Sequence, residues 1–378
     1  MKELLRQIAL DAGAAGFGVT TAEEFDGVAD TLKDRVTTGL AGRTRFTYKD
    51  PERAADVGVS FPWANSIVAL SWAYLPEAGS PGAGAAGEGR VARFATKDHY
   101  TGLDHVAGTL RRELAGVGHR AEVLIDDDRL VDRAAAVRAG VVWWGKSSMA
   151  LDPKHGPWLL LGSVVTDAVL EPDHPMLRDC GTCDACIPAC PTGAIIAPGV
   201  LDANRCLAHW LQTAGVFPEA LRIPLGDRVY GCDDCLDACP PGHKQLSRGL
   251  SIQGRVDLVG LLTTDDEALL GRFDHFYLPG RRPRILRRNA IIALGNSWHD
   301  RPDGDEKSKA IDLLGSYLSH SEEVLRIHAA WALGRIGGDE SEQHLRARQV
   351  NEPVTEVLAE IERALEQVYA SPLRDMRR

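Results

Sequence analysis

Short apolar runs alternate with amphipathic stretches through the first part of the chain. "SIVALSWAY" (66–74), "AEVLID" (121–126) and "PWLLLGSVVTD" (157–167) are rich in Val, Ile and Leu, which predicts buried strands. "LDHVAGTLRRELAGVG" (103–118) spaces its apolar positions three and four apart and ends at glycine, which predicts a helix. "DRAAAVRAG" (132–140) predicts a shorter helix stopped by Gly140. "EAGSPGAGAAGEG" (77–89) has small residues and no period, and reads as a surface loop. From about residue 249 onward the pattern is helical, and it repeats. "ILRRNAIIALGN" (285–296) returns as "VLRIHAAWALGR" (324–335), 39 residues later. A period near ~40 with paired amphipathic helices predicts a HEAT-like α-solenoid.

These patterns divide the 378 residues into three parts. The expectation is an α+β multidomain protein with an N-terminal α/β domain (1–170), a cysteine-bearing domain (171–248) and a C-terminal helical repeat domain (249–378). The apolar runs are too short to span a bilayer. Leu4, Leu5, Ile8 and Ala9 have helical spacing, but Asp11 interrupts them before they resemble a signal-peptide core. The expectation is a cytoplasmic protein that meets no membrane and acts as a monomer. A net charge of −10 excludes general affinity for nucleic acid and leaves room only for a local basic patch.

All eight cysteines lie between Cys180 and Cys239. Their spacing is Cys180-x2-Cys183-x2-Cys186-x3-Cys190-Pro191, then Cys206, then Cys232-x2-Cys235-x3-Cys239-Pro240. This is the bacterial ferredoxin arrangement for two [4Fe–4S] clusters, in which the fourth cysteine of each run ligates the other cluster. Three thiolates on one tight loop hold three corners of a cubane, and the x3 step and proline turn the chain so that the next sulfur reaches across. The assignment is Cys180, Cys183, Cys186 and Cys239 for one cluster, and Cys190, Cys206, Cys232 and Cys235 for the other. The 25 residues between Cys206 and Cys232 form an insertion. Structural zinc sites pair two C-x2-C knuckles and need no third nearby cysteine, so the doubled triple run favours iron and sulfur. Two adjacent clusters move electrons and break no substrate bond, so the chemistry lies elsewhere or in another protein.

No glycine-rich dinucleotide fingerprint marks that place. "GAAGFGVT" follows a helix rather than a strand, and no Asp-x-His-x-x-Gly stretch is present to hold a cobalamin from below. Asp126 ends a predicted buried strand, the position where ligands gather in α/β sheets. On the residues alone, "DDD" (126–128) is equally a solvated acidic turn. "RRPRILRR" (281–288) places Arg281, Arg282, Arg284, Arg287 and Arg288 within eight residues, with Pro283 suited to a helix start. A phosphate backbone is one partner for such a patch; capping and acid-pairing inside the solenoid is the other reading.

The order of segments resembles the epoxyqueuosine reductase family over nearly the whole chain. "PWANSIVALSWAYLP" resembles its first core strand, and "IDDDRLVDRAAAVRAGVVWWGKSS" its active-site segment. "GPWLLLGSVVTD" and "EPDHP" resemble the approach to the clusters. "CGTCDACIPACPTGAI", "LDANRC" and "DRVYGCDDCLDACP" resemble the cluster domain, and "RRNAIIALGN" and "AAWALGRIG" its repeats. The resemblance implies an N-terminal domain that binds cobalamin base-off beside one cluster, and reduction of the epoxide on a modified base of the tRNA anticodon, with loss of oxygen as water. It implies that Asp126 is the general acid, with a pKa raised against the apolar corrin. It implies cofactor contacts at Arg53, Arg133, Ser147, Leu161 and Asp233 as well as Asp126, with Asp132-Arg133 matching the family's Asp-Arg step. Ser147 stands where the family has Asn, His99-Tyr100 reverses its Tyr-His order, and "PGHK" (241–244) departs from it after Pro240. The solenoid, with the five arginines, is implied to help hold the tRNA anticodon stem-loop. A donor such as flavodoxin or ferredoxin is implied as the source of electrons. The rival readings are a reductive dehalogenase-like corrinoid enzyme, and a non-catalytic electron carrier with a docking solenoid.

Overall fold

The protein is described from a computed structural model over residues 1–74, 85–246 and 254–370. It forms two compact units. One comprises Met1–Ser80, Thr96–Cys206 and Asp233–Ile252, the other Pro81–Ala95, Leu207–Cys232 and Gln253–Arg378.

The first unit is built on a four-stranded sheet of β1 (Gly16–Thr21), β2 (Ser66–Ala73), β3 (Ala121–Leu124) and β4 (Leu159–Thr166), in the order β1-β2-β4-β3. The three predicted strands are β2, β3 and β4. β2 and β4 pair over their full length, from Ser66 opposite Thr166 to Ala73 opposite Leu159. They are central strands, apolar on both faces. Helix α1 (Lys2–Asp11) packs on β1, and α2 (Tyr100–Gly116), the predicted long helix, packs on β2, β3 and β4. Helix α3 (Asp132–Arg138) packs on β1, β2 and β4, burying Ala134, Ala135 and Ala136. Side chains alternate along a strand, so Leu161, Ser163 and Val165 of β4 share the face that meets α3, while Gly162 faces Leu103 of α2.

Two expectations change here. Every pairing in this sheet is antiparallel, and β3 is an edge strand. The parallel-sheet rule that ligands gather at strand C-termini therefore does not explain Asp126. "GAAGFGVT" enters β1 rather than a phosphate loop. A Cβ on Gly18 would sit 2.1 Å from the Ala139 carbonyl oxygen, so this glycine lets the end of α3 lie directly on the strand.

Beyond α3 the chain makes a hairpin of Trp143–Trp144 against Ala150–Leu151. The first cysteine run carries a short helix, Cys186–Ala189, and leads into a hairpin of Ile195–Ala197 and Val200–Leu201. Helices Asp234–Asp237 and Pro240–Leu246 follow the later cysteines.

The second unit opens with a three-stranded sheet in which Glu88–Val91 lies parallel to Arg228–Tyr230 and antiparallel to Gly254–Asp257. The loop expected over 77–89 therefore yields to strand at Glu88, and its residues 77–84 lie outside the described residues. Helices α4 (Arg284–Trp298), α5 (Asp305–Tyr317), α6 (Glu323–Ile336), α7 (Asp339–Gln349) and α8 (Thr355–Ala370) form the repeats, with α4, α6 and α8 stacked in sequence. The two quoted repeats are α4 and α6. They are apolar all round and nearly fully buried. Residues 207–232 pack with the repeats because Phe217, Val229 and Tyr230 enter the same core as Leu286 and Ile291. The compact units thus cross the three-part division read from the sequence. Among the described residues no helix is long and apolar enough to cross a membrane.

Candidate active site and cluster segment

β3 ends at Leu124 and the chain turns through the three aspartates. Asp127 accepts from the Arg129 backbone N–H (2.9 Å), Nε (2.8 Å) and Nη2 (2.6 Å). The Arg129 guanidinium holds the Asp127 carboxyl below the usual carboxylate range against the opposing effect of burial. Asp128 pairs with Arg53 Nη2 at 2.8 Å, from the short helix Pro51–Ala55. Two of the three carboxylates are thereby neutralised by arginines of this unit. Asp126 is exposed and makes no hydrogen bond or ion pair among the described residues. Its φ is 48°, a left-handed conformation that costs a non-glycine residue ~1 kcal/mol or more. The turn holds this one side chain out of the acidic trio and away from protein partners.

Six residues on, α3 opens with Asp132, whose preceding residue is anchored by a bond from the Val131 N–H to the Ala54 carbonyl (3.0 Å). Part of Asp132 is exposed, but its Oδ1 has no contact with water and no hydrogen-bond partner. Ser163 Oγ on β4, close to that carboxyl, is likewise buried without a partner of hydrogen-bond geometry. Arg133 is exposed, and Leu161 is half-buried on the same sheet face as Ser163. In the hairpin turn Ser147 is buried and Ser148 has φ 65°. Lys146 Nζ donates to the Gly181 carbonyl at 2.7 Å, and its own carbonyl accepts from the Gly199 N–H at 2.8 Å. This turn is therefore tied to the first cysteine loop. The indole Nε1 of Trp143 and the Nε of Arg53 are also buried without partners. These unused polar atoms fit a ligand carrying many polar groups, as cobalamin does. Arg53 itself is already engaged by Asp128. His99 is buried and its ring lies 5.8 Å from that of Tyr74. Asp233 is buried at the start of helix Asp234–Asp237.

None of the eight cysteines forms a disulfide. Burial pushes the Cys239 thiol up to about 11, and the next electrostatic influences come from Cys180, Cys186 and Cys183. Those are the four sulfurs that the spacing groups together. Cys186 is raised by burial and by Cys180 and Cys183 in the same way. Crowded, desolvated thiols that disfavour their own thiolate form call for a cationic core. Cys190 differs. Burial raises it, but the Thr192 hydroxyl and the N–H groups of Thr192, Ala194 and Ile195 hold it below the usual thiol range. Cys232 packs against the core of the second unit. Among the described residues no three His, Cys, Asp or Glu side chains converge on a single metal ion. A cubane spreads its thiolates farther apart than one ion does.

Residues 179–242 match the model of a 4Fe-4S double cluster binding domain, and residues 280–366 that of HEAT repeats. Epoxyqueuosine reductase of Bacillus cereus is 32% identical over 368 residues, covering 94% of each chain. That of Bacillus subtilis is 31% identical and covers 98% of this chain and 97% of its own. The chain belongs to the epoxyqueuosine reductase family. A crystal structure of selenomethionine-labelled epoxyqueuosine reductase superposes with a TM-score of 0.88 at 30% identity, covering 97% of this chain and 98% of that one. Another, with a tRNA-Tyr epoxyqueuosine-modified stem loop, gives 0.87 at 30% identity, covering 98% and 99%. The Bacillus subtilis enzyme was also solved with its catalytic aspartate loop swung out of the active site; it gives 0.85 at 29% identity and covers 97% and 98%.

For this member of the epoxyqueuosine reductase family the basic patch needs correction. Arg288 is 1% exposed, and its guanidinium binds the carbonyls of Trp210, Thr213 and Gly215 and Asn289 Oδ1. Arg287 is buried on Asp266, Tyr317 and the carbonyls of Leu261, Leu262 and Thr264. Both build the solenoid and are withdrawn from the surface. Arg284 pairs with Glu322 at 2.6 Å, and exposed Arg281 donates to the carbonyls of Leu270 and Asp274. Arg282 is exposed, and its side chain has no partner among the described residues. Sequence reasoning missed Ser163 and Ser148. A serine inside an apolar strand and another in a tight turn carry no signal until the sheet and the backbone angles are known.

Proposed function

We propose that this protein reduces epoxyqueuosine to queuosine at the wobble position of the tRNA anticodon. The observation that carries the reading is the turn at Asp126. Its two acidic neighbours are neutralised by Arg129 and Arg53, and Asp126 alone is held out, strained and unpaired. Family membership supplies the substrate, and the double cluster domain supplies the reducing path. Cys180, Cys183, Cys186 and Cys239 hold one [4Fe–4S] cluster, and the spacing gives Cys190, Cys206, Cys232 and Cys235 to the other. Cobalamin, when bound, supplies two reducing equivalents to the epoxide carbon. Arg133, Ser147, Leu161 and Asp233 hold it, with Arg53 acting indirectly by fixing Asp128.

Removal of the epoxide oxygen as water consumes two electrons and two protons. Asp126 gives a proton to that oxygen as its C–O bond breaks. An unprotonated oxygen is a poor leaving group, and a positioned acid contributes ~10²–10⁴-fold to such a step. Single-stranded anticodon loops present their bases without the cost of opening a duplex. Arg282, with Arg281 and Arg284 beside it, meets the phosphate backbone of the stem-loop. We assign residues 1–170 to cofactor binding and catalysis, 171–248 to the clusters and 249–378 to RNA contact. The protein works as a cytoplasmic monomer supplied by a flavodoxin or ferredoxin.

The test is anaerobic reconstitution with iron, sulfide and cobalamin, then incubation with an epoxyqueuosine-bearing stem-loop under a low-potential reductant. Queuosine in the RNA by mass spectrometry is the expected product. Iron-loaded protein that retains no corrinoid and leaves the epoxide intact would instead identify an electron carrier.

A further inference from the structure

Most buried charged groups in this chain are accounted for. Arg288 and Arg287 are saturated by carbonyls, Glu352 lies between Arg326 and Arg348, and Glu360 lies between Arg222 and Arg363. Asp132 is the exception. Its Oδ1 is sealed from water without a donor, and the nearest hydroxyl, Ser163 Oγ, is equally unused. A carboxylate in that position would be an uncompensated buried charge, which costs several kcal/mol. A neutral carboxylic acid would not.

We propose that Asp132 is a positioning residue that shares a proton with Asp126 and restores it after each proton delivery. This rests on the role given to Asp126 above. The two lie at the ends of one turn: Asp126 follows β3, whose Leu124 pairs with Ser163, and Asp132 opens α3 on the same face as Ser163. Among the charges acting on Asp132, Asp126 comes first, followed by Arg133 and then Asp127. The strands packed against α3 are β1, β2, β4 and Trp143–Trp144, and none carries a titratable side chain. Burial and then the Asp126 carboxylate push the Asp132 carboxyl well above the usual range, while Arg133 and Ser163 offset part of this. When Asp126 gives its proton to the departing oxygen it becomes a carboxylate. The Asp132 carboxylic acid then transfers its proton to that carboxylate, and water reprotonates Asp132. No net charge or redox change falls on the pair.

The test compares wild type, Asp132→Asn and Asp126→Asn, each loaded with clusters and cobalamin. Asparagine keeps the shape of the side chain but has no proton to give. The alkaline limb of the rate–pH profile of Asp132→Asn should move down by about one unit, with turnover at the acidic end within ~3-fold of wild type. A second readout needs no turnover. At neutral pH the infrared spectrum of wild type should contain a protonated-carboxyl band that Asp132→Asn lacks, with or without cobalamin. Asp132→Asn should bind cobalamin within ~2-fold of wild type. Absence of that band in wild type overturns the inference whether or not the variant folds. A wild-type pH profile in Asp132→Asn overturns it too, as does a tenfold loss of cobalamin affinity, which would make Asp132 a ligand contact. If Asp126→Asn turns over at the wild-type rate, the parent reading fails, and the infrared band still reports on Asp132 alone.

Discussion

Arg288→Met separates two readings of one arginine cluster. Methionine fills much of the volume of arginine but donates nothing. It strands the carbonyls of Trp210, Thr213 and Gly215, held at 2.7, 2.6 and 2.7 Å, at the end of the helix Leu207–Gln212. An unsatisfied buried acceptor costs ~1–3 kcal/mol. Burial pushes the Arg288 guanidinium down to about 9, so removing it also recovers part of a desolvation penalty. The net expectation is a loss of about 2–4 kcal/mol, or ~5–15 °C in melting temperature for a cooperative unit of this size. RNA binding well below the melt should be unchanged. Arg282→Ala should do the reverse, leaving the melt unchanged and weakening stem-loop binding with a shallower salt dependence, by ~1 in slope for a lost phosphate contact. Thermal melts and salt-titrated binding of an RNA stem-loop read both. Normal melting and lost RNA binding in Arg288→Met would refute the assignment of Arg288 to the interior.

Glu352 has no exposed side-chain surface and accepts from Arg326, Arg348 and the Val354 N–H. Burial opposes its charge, but these donors hold its carboxyl below the usual range. A lowered carboxyl contributes stability above its unfolded value of ~4.3 and loses it as pH falls through the folded value. Glu352→Gln should therefore cost about 3 kcal/mol at neutral pH, with the difference shrinking below pH ~4 in denaturant titrations. Cys239→Ser should lower iron and sulfide in anaerobic protein by about half, because it opens one cluster and spares the other. A loss confined to neither cluster, or no loss, would break the crossed ligand assignment.

Several elements were legible in the sequence because one physical signal dominated each. β2 and β4 are apolar on both faces, α2 keeps helical spacing, and α4 and α6 repeat at a fixed period. β1 was not legible, because its glycines serve close packing against α3 and mimic a loop. Sheet direction was invisible as well, since a buried central strand reads alike in parallel and antiparallel sheets. In the site, the cysteines declared themselves by spacing. Asp126 did not stand apart from Asp127 and Asp128 until Arg129 and Arg53 were seen to claim the other two. The arginine cluster misled because sequence proximity carries no depth. Arg287 and Arg288 face the core from the same helix that begins beside exposed Arg282.

The most direct measurement is single-turnover conversion of an epoxyqueuosine stem-loop by cluster- and cobalamin-loaded Asp126→Asn. The variant should hold iron, sulfide and corrinoid at wild-type levels and form queuosine at least ~10²-fold more slowly at neutral pH. Conversion at the wild-type rate would contradict the account, since the side chain held out by the turn would then deliver no proton.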